Sequence, residues 1–169
     1  MTDLDNFRNW FAAQIRRLAP DRDAGFIIAM VTFPLLERYL RQLTKSEPKT
    51  PRFITGLLQV LPELKTPEAA QLFWTTYRHG LLHNVTLSRE THGLTLESLI
   101  VEVQSNGKVW LNPVLFSERV LARIEADFGT FEGGHPLPAV SIHSPNPDRT
   151  GAPNYYLGTS APPSRGGKK

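Results

Sequence analysis

Residues 26–36 read FIIAMVTFPLL, the longest apolar run in the chain. A membrane-spanning helix needs about 20 apolar residues, so this run is too short to cross a bilayer. It suits a helix that is buried on most sides, and the flanking sequence extends that helix over 24–43. The second half, ERYLRQL (37–43), is amphipathic. This helix is therefore predicted to be the central one, with Pro34 kinking it or opening one turn.

Apolar residues at helical spacing predict further helices around this centre. Thr66 and Asn112 are good N-caps, and each precedes a proline that suits the first helical position. The predicted segments are 3–19, ended by Pro20, 52–61, 67–83, and a last helix that starts at Pro113 and closes at Gly129. Together they indicate a bundle of four long helices and one short helix.

A β-hairpin is predicted before the last helix. The β-prone runs LESLIVEV (96–103) and KVWL (108–111) flank SNG (105–107), and Asn106-Gly107 is a strong signal for a tight hairpin turn. Residues 84–93 are expected to form a polar loop. The fold class predicted is all-α, with this small hairpin as its β-structure.

Residues 133–169 differ in composition from the rest. They hold 7 of the 14 prolines and 6 of the 12 glycines. Such a segment buries too little apolar surface to offset its ordering entropy, so it is predicted to be a disordered tail following a helical domain at 1–132. The tail also carries the whole net charge of +3, because residues 1–132 hold 15 Lys and Arg against 15 Asp and Glu. A basic tail adds loose affinity for polyanions.

The absence of cysteine, the first residues and the spacing of the histidines bear on the cellular compartment and on metal binding. The chain has no cysteine, which excludes disulfides and thiolate ligands, and its start, MTDLDNFRNWF (1–11), is unlike a signal peptide. These features predict a cytoplasmic protein with no membrane partner. His79 and His83 have the spacing of a zinc pair, but no third ligand is indicated, so neither a metal nor another cofactor is predicted.

The segment YRHGLLHN (77–84) places an arginine and two histidines near a helix end. On an ideal α-helix His79 and His83 share a face, whereas Arg78 and His83 are about 140° apart. An imidazole can exchange a proton with a ribose hydroxyl or a leaving oxygen near neutral pH. A guanidinium can hold the phosphate and stabilise charge that develops on it. One histidine cannot conveniently be both base and acid, so the site makes most sense at a homodimer interface.

RHGLLH (78–83) resembles the R-x(4–6)-H motif of the HEPN superfamily, with a polar residue after the arginine. The late helix that carries it, and the hairpin and helix opening with LNP (111–113) that follow, are similar to many bacterial and phage members. The resemblance covers about residues 5–128. It implies a HEPN-type bundle, with Arg78 and His83 as catalytic residues, His79 as the polar second position and Asn84 outside the motif as a supporting residue.

Many HEPN proteins are metal-independent endoribonucleases that act as toxins or in phage defence. They cleave RNA at a dimer interface and leave a 2′,3′-cyclic phosphate. The resemblance thus implies a homodimeric hydrolase with RNA as a partner and an antitoxin protein as a further one. The alternative is a catalytically silent HEPN module that binds a nucleotide, RNA or a protein. A third reading is a helical dimerisation scaffold without a ligand.

Simpler roles also fit these residues. Basic side chains at a helix C-terminus complement its dipole. Glu37 could support the site from the central helix, but a pair with Arg38 or Arg41 on a solvated face is the commoner arrangement. Trp74 and Tyr77 could stack on RNA bases, although packing in the core is the stronger expectation.

Overall fold

The computed structural model describes residues 2–84 and 92–134, which form a mostly helical unit with one small sheet. The α-helices are α1 (Asp3–Phe7), α2 (Ala13–Leu18), α3 (Gly25–Thr44), α4 (Pro51–Val60), α5 (Pro67–Trp74), α6 (Pro113–Ala126) and α7 (Phe128–Glu132). Two segments are π-helical, Arg8–Ala12 and Thr75–Asn84, and two are short 3₁₀-helices, Arg22–Ala24 and Pro62–Leu64. The strands are β1 (His92–Leu94), β2 (Val101–Val103) and β3 (Val109–Leu111).

The central position predicted for the apolar run is confirmed. α3 packs against α4, α6, α7 and the π-helix Thr75–Asn84. Phe33 is completely buried and lies against an aromatic cluster made of Phe73, Trp74, Tyr77 and Phe116. α3 continues through Pro34 without a break. No helix in the part that the structure describes is long and apolar enough to cross a membrane.

The predicted N-caps are confirmed. The Thr66 hydroxyl accepts from the Ala69 N–H at 3.2 Å, and the Asn112 side chain accepts from two N–H groups in the first turn of α6. Thr50 caps α4 in the same way, with Pro51 at the first helical position. Each cap satisfies a backbone donor that the helix cannot satisfy internally. The local sequence therefore determines where these three helices begin.

The first predicted helix contains an unexpected change of type. Its residues run from α1 through the π-helix Arg8–Ala12 into α2. The wider turn brings Ala12 onto the buried face, five residues after the buried Phe7, whereas Trp10 and Phe11 are only partly covered. The prediction of one regular helix over 3–19 is therefore wrong in its middle, where the π-helical turn shifts the spacing of the buried residues.

The predicted hairpin is confirmed, and a third strand joins it. β2 and β3 pair antiparallel around Asn106-Gly107, where Gly107 has a φ of +78°. β1 pairs parallel to the other side of β3, so the sheet order is β1-β3-β2. The prediction of a loop over 84–93 is therefore wrong at its end. Gly93 permits this pairing, because a Cβ there would lie 2.3 Å from the ring of Trp110 on β3.

The predicted end of the last helix is also wrong. α6 ends at Ala126, and Gly129 lies inside the additional helix α7. Gly133 caps the end of α7, and its φ of +58° is the left-handed conformation that glycine adopts without steric cost. Beyond Gly134 the predicted disordered tail lies outside the described residues, and the division at 132/133 remains a prediction.

Candidate functional site

The motif segment is helical as predicted, but the helix changes type before the motif begins. α5 ends at Trp74, and the chain continues as a π-helix over Thr75–Asn84. In a π-helix each N–H bonds to the carbonyl five residues earlier instead of four. Backbone positions 78 and 83 are therefore neighbours across one turn. The α-helical angles assumed for Arg78, His79 and His83 from the sequence are wrong for this segment.

Arg78 is held by an acidic residue of the central helix. Its Nε donates to Oε2 of Glu37 at 2.9 Å, and the side chains are 30% and 14% exposed respectively. The sequence favours a pair of Glu37 with Arg38 or Arg41 over a role at the site. The structure contains the pair with Arg41, at 3.9 Å, and adds a shorter one with Arg78, 41 residues away. Such a contact fixes the direction of the guanidinium.

The Arg78–Glu37 pair lies in the wall of an open cleft of about 460 Å³. We call it the arginine cleft, lined by Pro34, Glu37, Arg38, Arg41, Gln42 and Arg78. Three guanidinium groups face one carboxylate in this lining, so the cleft is cationic. All of its residues except Arg78 come from α3, whose amphipathic half ERYLRQL therefore forms its floor.

Arg38 and Arg41 are held differently. Arg38 donates to the carbonyls of Phe131 and Glu132, each at 3.1 Å, so it binds the end of α7. Arg41 is 46% exposed, with its Nη2 2.6 Å from Glu47 and its Nη1 3.9 Å from Glu37. The Arg38 side chain is thus hydrogen-bonded to α7, whereas the exposed Arg41 side chain can contact a ligand that enters the cleft from solvent.

The structure describes the side chain of His79, but only the backbone of His83 and Asn84. His79 is exposed on the surface of the π-helix. His83 and Asn84 belong to its last turn, but their side chains lie outside the described part, so their roles stay predictions. Within residues 2–84 and 92–134, no group of three or more His, Asp or Glu is arranged to hold a metal ion.

Tyr77 ties the motif helix to the sheet. Its buried hydroxyl oxygen lies 2.7 Å from the Gly93 carbonyl oxygen on β1 and 2.8 Å from that of Val109 on β3. Burial raises the pKa of Tyr77, so the hydroxyl remains a donor. Trp74 and Tyr77 are both completely buried, which confirms core packing and excludes stacking on an external base. The sheet that was predicted only in part therefore orients the motif.

An apolar strip on α3 leads to the arginine cleft. Ile27 and Val31 are 53% and 37% exposed, and Pro34, also exposed, continues the same face at helical spacing. Val31 precedes Glu37 by six residues, or about 9 Å along the helix axis. α3 thus presents a short exposed apolar strip on the side of the helix that leads to the cleft.

No protein-family model, curated protein or solved structure matches this chain. The resemblance to the HEPN superfamily therefore rests on the motif and on the order of the elements around it. The class of protein that the fold itself defines is a mostly helical unit with a small mixed sheet and a cationic cleft beside the motif helix.

Proposed function

We propose that this protein is a metal-independent endoribonuclease of the HEPN type, with a role as a toxin or in phage defence. The observation that carries the proposal is the position of Arg78. It lies on a π-helical turn that aligns backbone positions 78 and 83, and it faces a cationic cleft open to solvent. A guanidinium in such a cleft can bind a phosphodiester, and in the proposal His83, one turn further along the helix, supplies the imidazole that transfers protons.

In the proposed reaction Arg78 binds the scissile phosphate and stabilises the charge that develops on its oxygens. One His83 removes the proton from the ribose 2′-hydroxyl, whose oxygen then attacks the phosphorus. The P–O bond to the leaving 5′-oxygen breaks, and the His83 of a second copy donates a proton to that oxygen. The products are a 2′,3′-cyclic phosphate and a 5′-hydroxyl.

A homodimer supplies the second histidine in this proposal. Support for it comes from the apolar strip, because Ile27 and Val31 lie on the same helix as the floor of the arginine cleft. A two-fold contact over this strip would bring two clefts towards each other. Light scattering over a range of concentrations is expected to report a dimer, and Val31→Asp should shift it towards a monomer. A monomer at all concentrations would refute the shared site.

The direct test is RNA cleavage in excess EDTA. Arg78→Ala and His83→Ala should each lower the rate by about 100-fold or more, the scale of losing a charge-stabilising donor or an acid–base group. Arg16→Ala is a matched control, since Arg16 also forms carboxylate pairs but lies outside the cleft. Equal rates for all variants would indicate a contaminating nuclease, and abolition by EDTA would contradict metal independence.

The Arg78–Glu37 pair also favours a second candidate, a catalytically silent module that binds RNA or a nucleotide. A carboxylate 2.9 Å from Nε already balances the charge of the guanidinium, which weakens its attraction for a transition state. This candidate predicts that RNA binding survives His83→Ala and that no variant changes the rate of RNA cleavage above background.

A further inference from the structure

We propose that the arginine cleft is a phosphate-binding subsite in which Glu37 acts as an internal anion that competes with the bound phosphate. Arg41 and Arg78 are its ligand-binding residues. In so far as the phosphate belongs to RNA, this inference rests on the proposed function. It extends that function to Arg41 and Glu37, which lie outside the R-x(4–6)-H motif.

The geometry of the carboxylate points to this role. Oε2 of Glu37 is 2.9 Å from Nε of Arg78, and Oε1 is 3.9 Å from Nη1 of Arg41. One carboxylate therefore lies between two guanidinium groups. A phosphate group also offers paired anionic oxygens, and guanidinium groups bind both kinds of anion with the same donors. Two arginines that accommodate a carboxylate in this way can accommodate a phosphate.

The surroundings allow a ligand to reach this position. The cleft volume of about 460 Å³ exceeds a phosphate group and falls in the range typical of small-molecule sites. Arg41 is 46% exposed, and its closest partner, Glu47 at 2.6 Å, is 71% exposed, so a ligand can replace this solvated pair at little cost. Arg38 adds positive charge but is occupied with the end of α7. The cleft can therefore hold a phosphate without moving the backbone.

Competition follows from the burial of Glu37. Its side chain is only 14% exposed, so water and salt screen its charge less than that of a surface carboxylate. A phosphate that contacts Arg41 and Arg78 comes close to this carboxylate, and the two negative charges repel. Removing the charge of Glu37 while keeping its size should therefore strengthen phosphate binding, even though an ion pair is lost.

The test measures binding without cleavage. The probes are a 2′-O-methyl oligoribonucleotide, which lacks the attacking hydroxyl, and inorganic pyrophosphate. Glu37→Gln should tighten binding of the oligonucleotide by about fivefold to tenfold at low salt, the scale of one partly screened charge pair. Glu118→Gln is the matched control, because it changes the net charge equally in a pair with Arg16 outside the cleft. It should alter the affinity by less than about twofold.

Pyrophosphate separates the sources of the phosphate. Tighter binding of both probes by Glu37→Gln supports a site for phosphate groups in general, and tighter binding of the oligonucleotide alone supports a site for the RNA backbone. Unchanged or weaker binding of both would overturn the proposal, since Glu37 would then only position Arg78. Thermal unfolding of Glu37→Gln verifies that the variant is folded.

Arg41→Gln keeps the proposal testable if Glu37→Gln does not fold. Arg41 is half exposed, and its replacement should weaken oligonucleotide binding about fivefold and reduce the salt dependence by about one phosphate contact. An unchanged salt dependence would overturn the subsite.

The results also distinguish failure of the subsite from failure of the proposed nuclease activity. A protein that binds phosphate in this way but never cleaves RNA refutes only the nuclease, and one that cleaves but ignores both substitutions refutes only the subsite.

Discussion

Replacing Tyr77 by phenylalanine would remove one hydroxyl where the motif helix meets the sheet. That oxygen lies 2.7 Å from the carbonyl oxygen of Gly93 and 2.8 Å from that of Val109, and the ring is completely buried. The ring packing stays the same in Tyr77→Phe, so the substitution isolates the hydrogen bonds. Two carbonyls on neighbouring strands lose their shared donor.

The expected cost follows from this geometry. A hydroxyl has one hydrogen, which the two carbonyls share, so the loss amounts to one buried hydrogen bond and the desolvation of its acceptors. This lowers the free energy of unfolding by about 1–3 kcal/mol. For a domain of this size, each kcal/mol lowers the Tm by about 3–6 °C. Urea denaturation followed by circular dichroism gives the free energy, and an unchanged m-value indicates the same extent of unfolding.

Hydrogen exchange locates the effect. In Tyr77→Phe the amides of β1 and β3 should exchange faster than global unfolding requires, because the helix no longer ties these strands together. Tyr39→Phe is the control, since the Tyr39 hydroxyl contacts Arg123 and Asp127 instead. It should destabilise the protein without opening β1 selectively.

The pH dependence provides a second check on Tyr77. Burial raises its pKa above the ordinary value of about 10. The folded state therefore keeps the proton to a higher pH than the unfolded state does. The resulting stability is fully present below about pH 10 and is lost as the pH rises further. Wild type and Tyr77→Phe should differ by a constant amount between about pH 6 and 9, and by less above pH 10. Equal stability throughout, or a difference that grows above pH 10, would refute this reasoning.

Three further predictions concern the caps and the subunits. Asn112→Ala should lower the free energy of unfolding by about 1–3 kcal/mol in urea denaturation, because this buried side chain caps α6 with two hydrogen bonds. Gly133→Ala should cost about 1–2 kcal/mol, since its φ of +58° is strained for a residue with a Cβ, while the Gln42 side chain that meets the new Cβ can move aside. The control Gly129→Ala, with open space around it, should be neutral or stabilising, and equal losses for both would contradict this account. Random exchange of equal amounts of wild type and His83→Ala should leave about a quarter of the cleavage activity if each site needs both copies, and about half if it does not.

Much of the fold could be predicted because its causes are local. The stripe of apolar residues, the N-caps Thr66 and Asn112 and the Asn106-Gly107 turn act within a few residues of each other. α3, the helix starts and the hairpin were predicted for that reason. β1 was missed because three residues carry little periodicity, and its parallel pairing with β3 depends on Gly93 accepting the ring of Trp110.

The candidate site likewise combines residues that the sequence indicates with a contact that only the tertiary structure creates. The motif marks Arg78 and the histidines as candidates, because these residue types suit phosphate chemistry. The motif could not identify Glu37 as the partner of Arg78. On α3, Arg41 lies one turn after Glu37, and local rules favour this i,i+4 pair, which the structure contains at 3.9 Å. Only the packing of the motif helix against α3 adds the shorter pair with Arg78.

The sequence by itself therefore determined where the main helices begin, the hairpin and the residue types that could do chemistry, since each depends on spacing, capping and side-chain type. The tertiary structure decided the π-helix over Thr75–Asn84, the third strand and the arginine cleft. A π-turn costs backbone energy that only surrounding contacts offset, here including the anchor from Tyr77 to the sheet. The cleft exists because packing brings Arg78 against Glu37 across 41 residues, a distance over which periodicity carries no information.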